Sequence, residues 1–174
     1  MPRLYQKRLI SALIALVIFI FLQIFPSQKT TQKIDNNTYI VKRVIDGDTI
    51  ELTNKQIVRY IGIDTPELHH PKKSVECFAS AAAGFNKNLV EGKIVTLEKD
   101  ISETDKYKRL LRYVYITDES SPSAKIFVNK KLVDEGYASA ATFPPDVKYA
   151  DIFRNSQQEA MENKKGLWSS CKNK

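Results

Sequence analysis

The chain has 174 residues, of which 27 are Lys or Arg and 20 are Asp or Glu, and its formal net charge is +7. This length accommodates a leader and one globular domain of about 140 residues. A domain of that size buries enough apolar surface to fold without several disulfides or a structural zinc. Three basic residues lie in the first 27, so the remainder carries +4. That moderate excess is compatible with a polyanionic partner and equally with solubility alone.

An apolar run from Leu9 to Phe25 follows the basic start of the chain. These 17 residues would span about 25 Å as a helix, slightly less than a bilayer core of about 30 Å. No small-residue cleavage pattern follows the run, which favours an uncleaved anchor over a cleaved signal, with a buried helix of a soluble protein as the third alternative. We expect residues 1–27 to be a signal-anchor or signal peptide and residues 28–38 a polar linker, with the remaining chain outside the cytoplasm.

Cys77 and Cys171 are the two cysteines of the chain. Their spacing excludes a cysteine-rich zinc site. In an oxidising compartment they form a disulfide candidate that closes a loop of 94 residues. The chain-entropy model values such a cross-link at about 4–5 kcal/mol, and the alternative is two unpaired thiols.

Strand patterns dominate the first part of the domain. Residues 39–52 alternate in polarity around the turn Asp46-Gly47-Asp48, Asn54-Lys55 predicts a hairpin, and residues 56–63 (QIVRYIGI) predict one further strand. Arg59 would then share a face with Ile61 and Ile63. Helical spacing over residues 75–91 predicts the first helix.

The second part mixes strands with helices. Strands are predicted at Ile94–Lys99 and Leu110–Ile116, a short helix at Lys130–Glu135 with Asn129 as its cap, and a last helix at Val147–Asn163. In the last helix Ile152, Phe153 and Ala160 are expected to face inward. Short strands with intervening helices predict an α+β domain, a small twisted β-barrel with helices packed outside it, and a five-stranded barrel is one such solution.

Acidic residues gather near two predicted turns. Asp46 and Asp48 flank a glycine, and Asp64, Thr65 and Glu67 stand where Pro66 ends a strand. Such hard oxygen ligands suit Ca²⁺ or Mg²⁺ without histidine or thiolate. Aspartates at turns also serve the turn alone, and a strand arginine such as Arg59 is also found in purely structural ion pairs.

Three segments, VIDGDTI, VRYIGIDTPE and TDKYKRLLRYVY, together resemble the thermonuclease (staphylococcal nuclease-like) family. The ending GLWSSC is similar to bacterial members. The resemblance covers residues 39–171. It implies an OB-fold five-stranded barrel with three helices, preceded here by the N-terminal hydrophobic helix, and a Ca²⁺-dependent nuclease acting on DNA and RNA.

The resemblance also implies a role for each matching residue. Asp46, Asp64 and the Thr65 carbonyl would ligate Ca²⁺, and Asp48 would ligate it or hold its waters. The catalytic residues implied are Arg59, Glu67 and Arg109. The arginines would bind the phosphate from two sides, and Glu67 would orient or deprotonate the attacking water.

Residues around this set carry further expectations. Lys106 and Tyr107 match positions near a terminal phosphate of the substrate, and Lys108 and Arg112 add positive charge at the pocket rim. The tyrosine on which the family stacks a base is absent at the simplest alignment, where Phe143 is the nearest aromatic. We expect His69 and His70 to be solvated and Trp168 to belong to the core.

Three classes of function compete for this chain. The first is the Ca²⁺-dependent phosphodiesterase, which we expect to be monomeric, with residues 9–25 contacting a membrane if they are not cleaved. The second is a non-catalytic module on the same fold that binds nucleic acid or protein. The third is a structural envelope protein whose pocket has no role.

Overall fold

The computed structural model describes Leu16 and residues 37–68, 74–118, 121 and 124–171. Apart from Leu16, the apolar run lies outside these residues, as does nearly all of the linker, so the anchor, the N-terminal helix and the domain boundaries stay predictions. Within the described residues, no helix is long and apolar enough to cross a bilayer.

In the residues that the structure describes, eight short strands follow the alternating stretches of the sequence. They are β1 (Thr38–Asp46), β2 (Thr49–Leu52), β3 (Ile57–Tyr60), β4 (Ile63–Asp64), β5 (Ile94–Glu98), β6 (Leu110–Thr117), β7 (Lys125–Phe127) and β8 (Ser139–Ala140).

Five of these strands form a closed barrel. Antiparallel neighbours run in the order β3, β2, β1, β5, β6, and a parallel pairing of β3 with β6 closes the ring. In that pairing Val58 lies beside Leu110 and Arg59 beside Leu111. β7 extends the sheet from β6, and β4 pairs with β8 as a separate small sheet. The expected five-stranded barrel is confirmed.

Among residues 37–171, the described part of the chain has four helices around the barrel. They are α1 (Ala79–Val90), α2 (Val128–Asp134), α3 (Ala150–Glu162) and the single turn α4 (Leu167–Ser170). The first three are the expected helices, and the single turn carries the half-buried Trp168.

Alternate strand residues supply the core. In β3 the side chains of Val58 and Tyr60 are buried, whereas Ile57 and Arg59 on the other face are only half-buried. The ring of Phe153 anchors α3, because it is 1% exposed and lies 5.5 Å from the ring of Phe127. Aromatic burial of this kind contributes more to stability than most single core contacts.

The strand predicted over residues 56–63 is wrong in its length. It ends at Tyr60, and the chain turns at Gly62 before β4 begins. Gly62 has φ +80°, and an added Cβ there would lie 2.3 Å from Cε2 of Phe153, so only glycine fits. The break means that Arg59 does not share a strand face with Ile61 and Ile63.

Two helix predictions also need correction. The last helix begins at Ala150 and ends at Glu162, and its Ile152 is 41% exposed although Phe153 and Ala160 are buried. Asn129 does not cap α2, because the helix has already begun at Val128. Its fully buried side chain has a different role, described below.

A disulfide joins Cys77 to Cys171, whose Cα atoms are 5.9 Å apart. It ties the segment before α1 to the end of α4, across a sequence separation of 94 residues. Because the bond closes so long a loop, it removes many conformations from the unfolded chain.

Replacing both cysteines with serine should lower the free energy of unfolding by about 2–5 kcal/mol, as loss of this cross-link restores unfolded-state entropy. Urea denaturation of the two proteins measures the difference. Wild-type protein kept in dithiothreitol is the control, and it should unfold like the double variant. An unchanged urea midpoint in both would contradict a stabilising cross-link.

Candidate active site

The turn between β1 and β2 places two aspartates close to the loop after β4. β1 has an irregular register between Val44 and Asp46, which re-aims the end of the strand. Asp46 and Asp48 are 8% and 5% exposed. An added Cβ at Gly47 would lie 2.6 Å from Oγ1 of Thr65, so glycine permits the close approach of turn and loop.

Asp48 fastens this turn to Thr65. Its Oδ2 accepts hydrogen bonds from the backbone N–H and the hydroxyl of Thr65, both at 3.0 Å. Asp46 acts in parallel, since its Oδ1 accepts from Gly47 N at 2.8 Å and its Oδ2 from Leu68 N at 3.4 Å. The segment that carries Glu67 is therefore held at both ends by the acidic turn.

Arg59 lies between the two groups of carboxylates. Its Nη2 is 2.9 Å from Oδ1 of Asp64 and 3.1 Å from Oδ2 of Asp48. Its Nη1 donates to the carbonyl oxygens of Tyr60 and Ile63, each at 2.9 Å. The break in the strand makes both carbonyls accessible to one guanidinium, whose side chain is only 13% exposed.

Arg109 is held by fewer contacts. Its Nε donates to Oδ2 of Asp105 at 2.7 Å, and its side chain is 31% exposed. Within the part of the chain that the structure describes, its two terminal nitrogens have no hydrogen-bond partner. Burial raises the pKa of Asp105, but the Arg109 side-chain hydrogen bond and charge outweigh it and leave that pKa below its usual value. The pair is thus ionised near neutral pH.

Both arginines line one cavity of about 270 Å³. Its walls also include the following residues: Ile61, Ile63, Asp105, Leu111, Phe143 and Asp146. The ring of Phe143 is 68% exposed at the mouth. A cavity with two cationic forks and one exposed aromatic ring suits a small anion that carries a flat group.

Lys106 and Tyr107 lie beside Arg109 rather than in the wall of this cavity. Tyr107 is 68% exposed, with Cζ of Arg109 at 5.5 Å and Nζ of Lys106 at 5.0 Å from its ring centroid. Cations at such distances over a ring face attract it weakly when exposed. Lys106 and Tyr107 therefore form a charged aromatic edge next to Arg109.

Glu67 is exposed and its backbone is clamped by Glu76. Glu67 N donates to Oε2 of Glu76 at 3.2 Å, and Glu76 N donates to the carbonyl oxygen of Glu67 at 3.1 Å. Partial burial of its carboxyl group raises the pKa of Glu67, although the residue as a whole is exposed, and the negative charges of Asp46, Asp48 and Asp64 raise that pKa further. Four carboxyl groups therefore interact electrostatically at this place.

The carboxylates do not form a ready-made metal cage. No group of three or more His, Cys, Asp or Glu side chains within residues 37–68, 74–118, 121 and 124–171 has the geometry to hold a metal ion as it stands. The physical reason is visible in the contacts of Asp48 and Asp64, which are turned toward Arg59 and Thr65.

Comparison with known proteins adds to this geometry. Residues 57–170 match the family model described as staphylococcal nuclease homologue. The chain belongs to the staphylococcal nuclease family. Its identity to a thermonuclease of Staphylococcus intermedius is 38% over 161 residues, covering 89% of this chain and 92% of the relative.

Two further relatives carry nuclease names. A thermonuclease of Staphylococcus hyicus is 37% identical over 139 residues, covering 78% of each chain. The endonuclease YncB of Bacillus subtilis (strain 168) is 39% identical over 149 residues, covering 83% of this chain and 66% of the relative. Membership of the staphylococcal nuclease family and these names support a nuclease.

Most of the residues expected from that family come together. Asp48 and Asp64 both bond to Arg59, which shares a cavity with Arg109. Asp48 also accepts hydrogen bonds from Thr65. Asp46 lies at the start of the same turn as Asp48 and accepts a hydrogen bond from Leu68 N. Arg112 departs from expectation, since it does not line that cavity. His69 and His70 lie outside the described residues.

Sequence reasoning missed three residues of this staphylococcal nuclease site. Asp105 and Glu76 position Arg109 and Glu67, and the fully buried Asn129 accepts from Val114 N and donates to the Ile61 carbonyl, each at 2.9 Å. The i, i+4 spacing of Asp105 and Arg109 was a signal that an ion pair could form. The local pattern around Asn129 predicted a helix cap, and nothing in it indicated these partners, which lie far away in sequence.

Proposed function

We propose that this protein is a Ca²⁺-dependent nuclease that hydrolyses phosphodiester bonds in DNA and RNA. The observation that carries the proposal is the placement of Arg59 and Arg109 in one cavity, with carboxylates bonded to Arg59. The nuclease names of the relatives support the same reaction.

The two arginines suit the charge of the reaction. A phosphodiester is anionic, and negative charge on its phosphoryl oxygens increases as a nucleophile adds. Arg109 offers two terminal nitrogens in a planar fork, which matches two phosphate oxygens. Arg59 is fixed by Asp48, Asp64 and two carbonyls, so its position does not need to be organised during the reaction.

The carboxylates fit a hard divalent cation by the chemistry of their donors. Asp46, Asp48 and Asp64 provide oxygen atoms alone, which is the ligand type of Ca²⁺ rather than of Zn²⁺ or Cu²⁺. Their negative charges add to burial in raising the pKa of Glu67, and a cation bound among them would offset that charge. A bound Ca²⁺ would supply positive charge for the phosphoryl oxygens.

Glu67 completes the set as the residue that orients or deprotonates the attacking water. Its raised pKa, caused first by burial and then by neighbouring carboxylates, makes it a better proton acceptor than an isolated glutamate when ionised. The Glu76 clamp holds the backbone from which this side chain extends.

The proposed location of the domain is outside the cytoplasm, where it is either anchored to the membrane by the N-terminal apolar run or released after that run is cleaved. The run from Leu9 to Phe25 and the Cys77–Cys171 disulfide support it, because disulfides persist in oxidising compartments. If the domain is anchored, protease added to intact cells should digest it, and if it is released, it should be found in the medium. A domain that stays inside the cells and is fully protected from the protease would contradict the proposal.

Replacing Arg109 with alanine should lower kcat by about 100-fold or more, because one charge donor to the reacting phosphate is lost. Arg59→Ala should do the same and also destabilise the fold, since Asp48 then remains buried without its partner. Cleavage of a fluorescent DNA strand measures kcat.

Arg109→Lys separates charge from geometry, since lysine keeps the charge and loses the fork, and its kcat should fall between alanine and wild type. The control is Arg154→Ala, which removes an exposed helical arginine paired with Asp151. If Arg109→Ala retains a kcat close to that of wild type, as Arg154→Ala should, the assignment of Arg109 as a catalytic residue is wrong.

Cleavage of plasmid DNA, single-stranded DNA and RNA should stop in EGTA and return when Ca²⁺ is added in excess. Calcium should also raise the melting temperature of wild-type protein by mass action, and Asp46→Asn should weaken that shift. Asp151→Asn, an exposed helical aspartate, is the matched control. Binding of DNA without cleavage in Ca²⁺ would instead identify a non-catalytic module.

A further inference from the structure

A second cavity lies on the other side of β6. Its volume is about 390 Å³, and its walls include Tyr39, Lys99, Glu103, Leu110 and Arg112. Side chains alternate along a strand. Arg109 and Leu111 therefore line the first cavity, whereas Leu110 and Arg112 line the second.

Arg112 is the most enclosed charged group of this second cavity. Its Nη1 donates to the carbonyl oxygens of Leu111 at 2.7 Å and Glu103 at 3.1 Å, and its Nη2 pairs with the Glu103 carboxylate. The Arg112 side chain is 13% exposed. Two backbone carbonyls thus hold the guanidinium in place whether or not the carboxylate is present.

Glu103 is the more exposed partner of this ion pair. Its side chain is 57% exposed, and its other oxygen lies 3.3 Å from Nζ of Lys99, which is 49% exposed. One carboxylate therefore neutralises one of two cations. Ion pairs with so much solvent around one partner contribute little to folding, so exchanging the carboxylate for another anion is inexpensive.

We propose that this cavity is a second phosphate subsite, in which a backbone phosphate of the substrate strand replaces the Glu103 carboxylate between Lys99 and Arg112. This inference rests on the proposed nuclease function. Arg109 and Arg112 are three positions apart in the chain, so their Cα atoms are at most about 10 Å apart, a distance that neighbouring nucleotides of one strand can cover. Tyr39 supplies an aromatic side chain in the same cavity, as in single-strand binding grooves.

The test compares two substrates with the same scissile bond, a dinucleotide and a single DNA strand of roughly twelve nucleotides, a length within the range that OB folds bind. Arg112→Ala should raise KM for the long strand roughly three- to tenfold and leave the dinucleotide unchanged. The slope of log KM against log salt for the long strand should also fall by about 0.7, the value for one lost single-strand phosphate contact.

Glu103→Gln distinguishes the proposed subsite from a purely structural role of the ion pair between Arg112 and Glu103. Both substitutions break the same ion pair, but Glu103→Gln should lower KM for the long strand because it removes a competing anion. Lys99→Ala should raise it. Arg154→Ala and Asp151→Asn are the matched controls, since they break an exposed pair that lines neither cavity and remove the same charges.

The subsite is overturned if KM moves in the same direction for Arg112→Ala and Glu103→Gln. It is also overturned if KM changes equally for the two substrates, or if the two control variants change KM as much as the test variants do. If Arg112→Ala does not fold, Glu103→Gln and Lys99→Ala decide the question. Wild-type protein that cleaves neither substrate overturns the proposed function and the subsite together. Cleavage of both substrates with no length-dependent change in any variant overturns the subsite alone.

Discussion

The guanidinium of Arg59 is the contact on which the arrangement of the site depends. It joins the turn after β1, the end of β3 and the start of β4 through two carboxylates and two carbonyl oxygens. A charge this enclosed is costly unless every donor is directed to an acceptor. The segments that provide those acceptors are therefore fixed relative to each other.

Arg59 and Arg109 differ in a way that suits two tasks. Arg59 is a fixed wall whose fork is already shared among protein acceptors, whereas Arg109 is held mainly through Nε by Asp105. A site built from one rigid and one adaptable cation can hold a phosphate in register while its geometry changes. Asp105 then limits how far Arg109 can move.

Much of the barrel could be predicted because its strands alternate in polarity over short stretches, as β1 and β6 do. The failures involve residues whose conformation depends on distant partners. Gly62 must turn because Phe153 occupies the space beside it, and Asn129 is buried because it joins Val114 to Ile61. Ile152 fits a helical stripe but faces solvent, because Phe153 and Ala160 already fill the core side of α3.

The residues of the site also divide into those that a sequence pattern indicates and those that it does not. Asp46, Asp48 and Arg59 were weak signals by residue type, because turn aspartates and paired arginines are common. Only the order of three motifs along the chain, and the family resemblance that this order carries, indicated that these residues form one site. The role of Glu76 could not be predicted from a pattern, because its carboxylate and its N–H both bond to backbone groups of Glu67, nine residues away.

The parallel pairing of β3 with β6 has a consequence for how activity is acquired. Arg59 is on β3 and pairs in register with Leu111, two residues beyond Arg109. Pairing of these two strands therefore also brings the second cation to the first. Without it the ring is open and the cavity that both arginines line is incomplete, so formation of the site is tied to closure of the barrel.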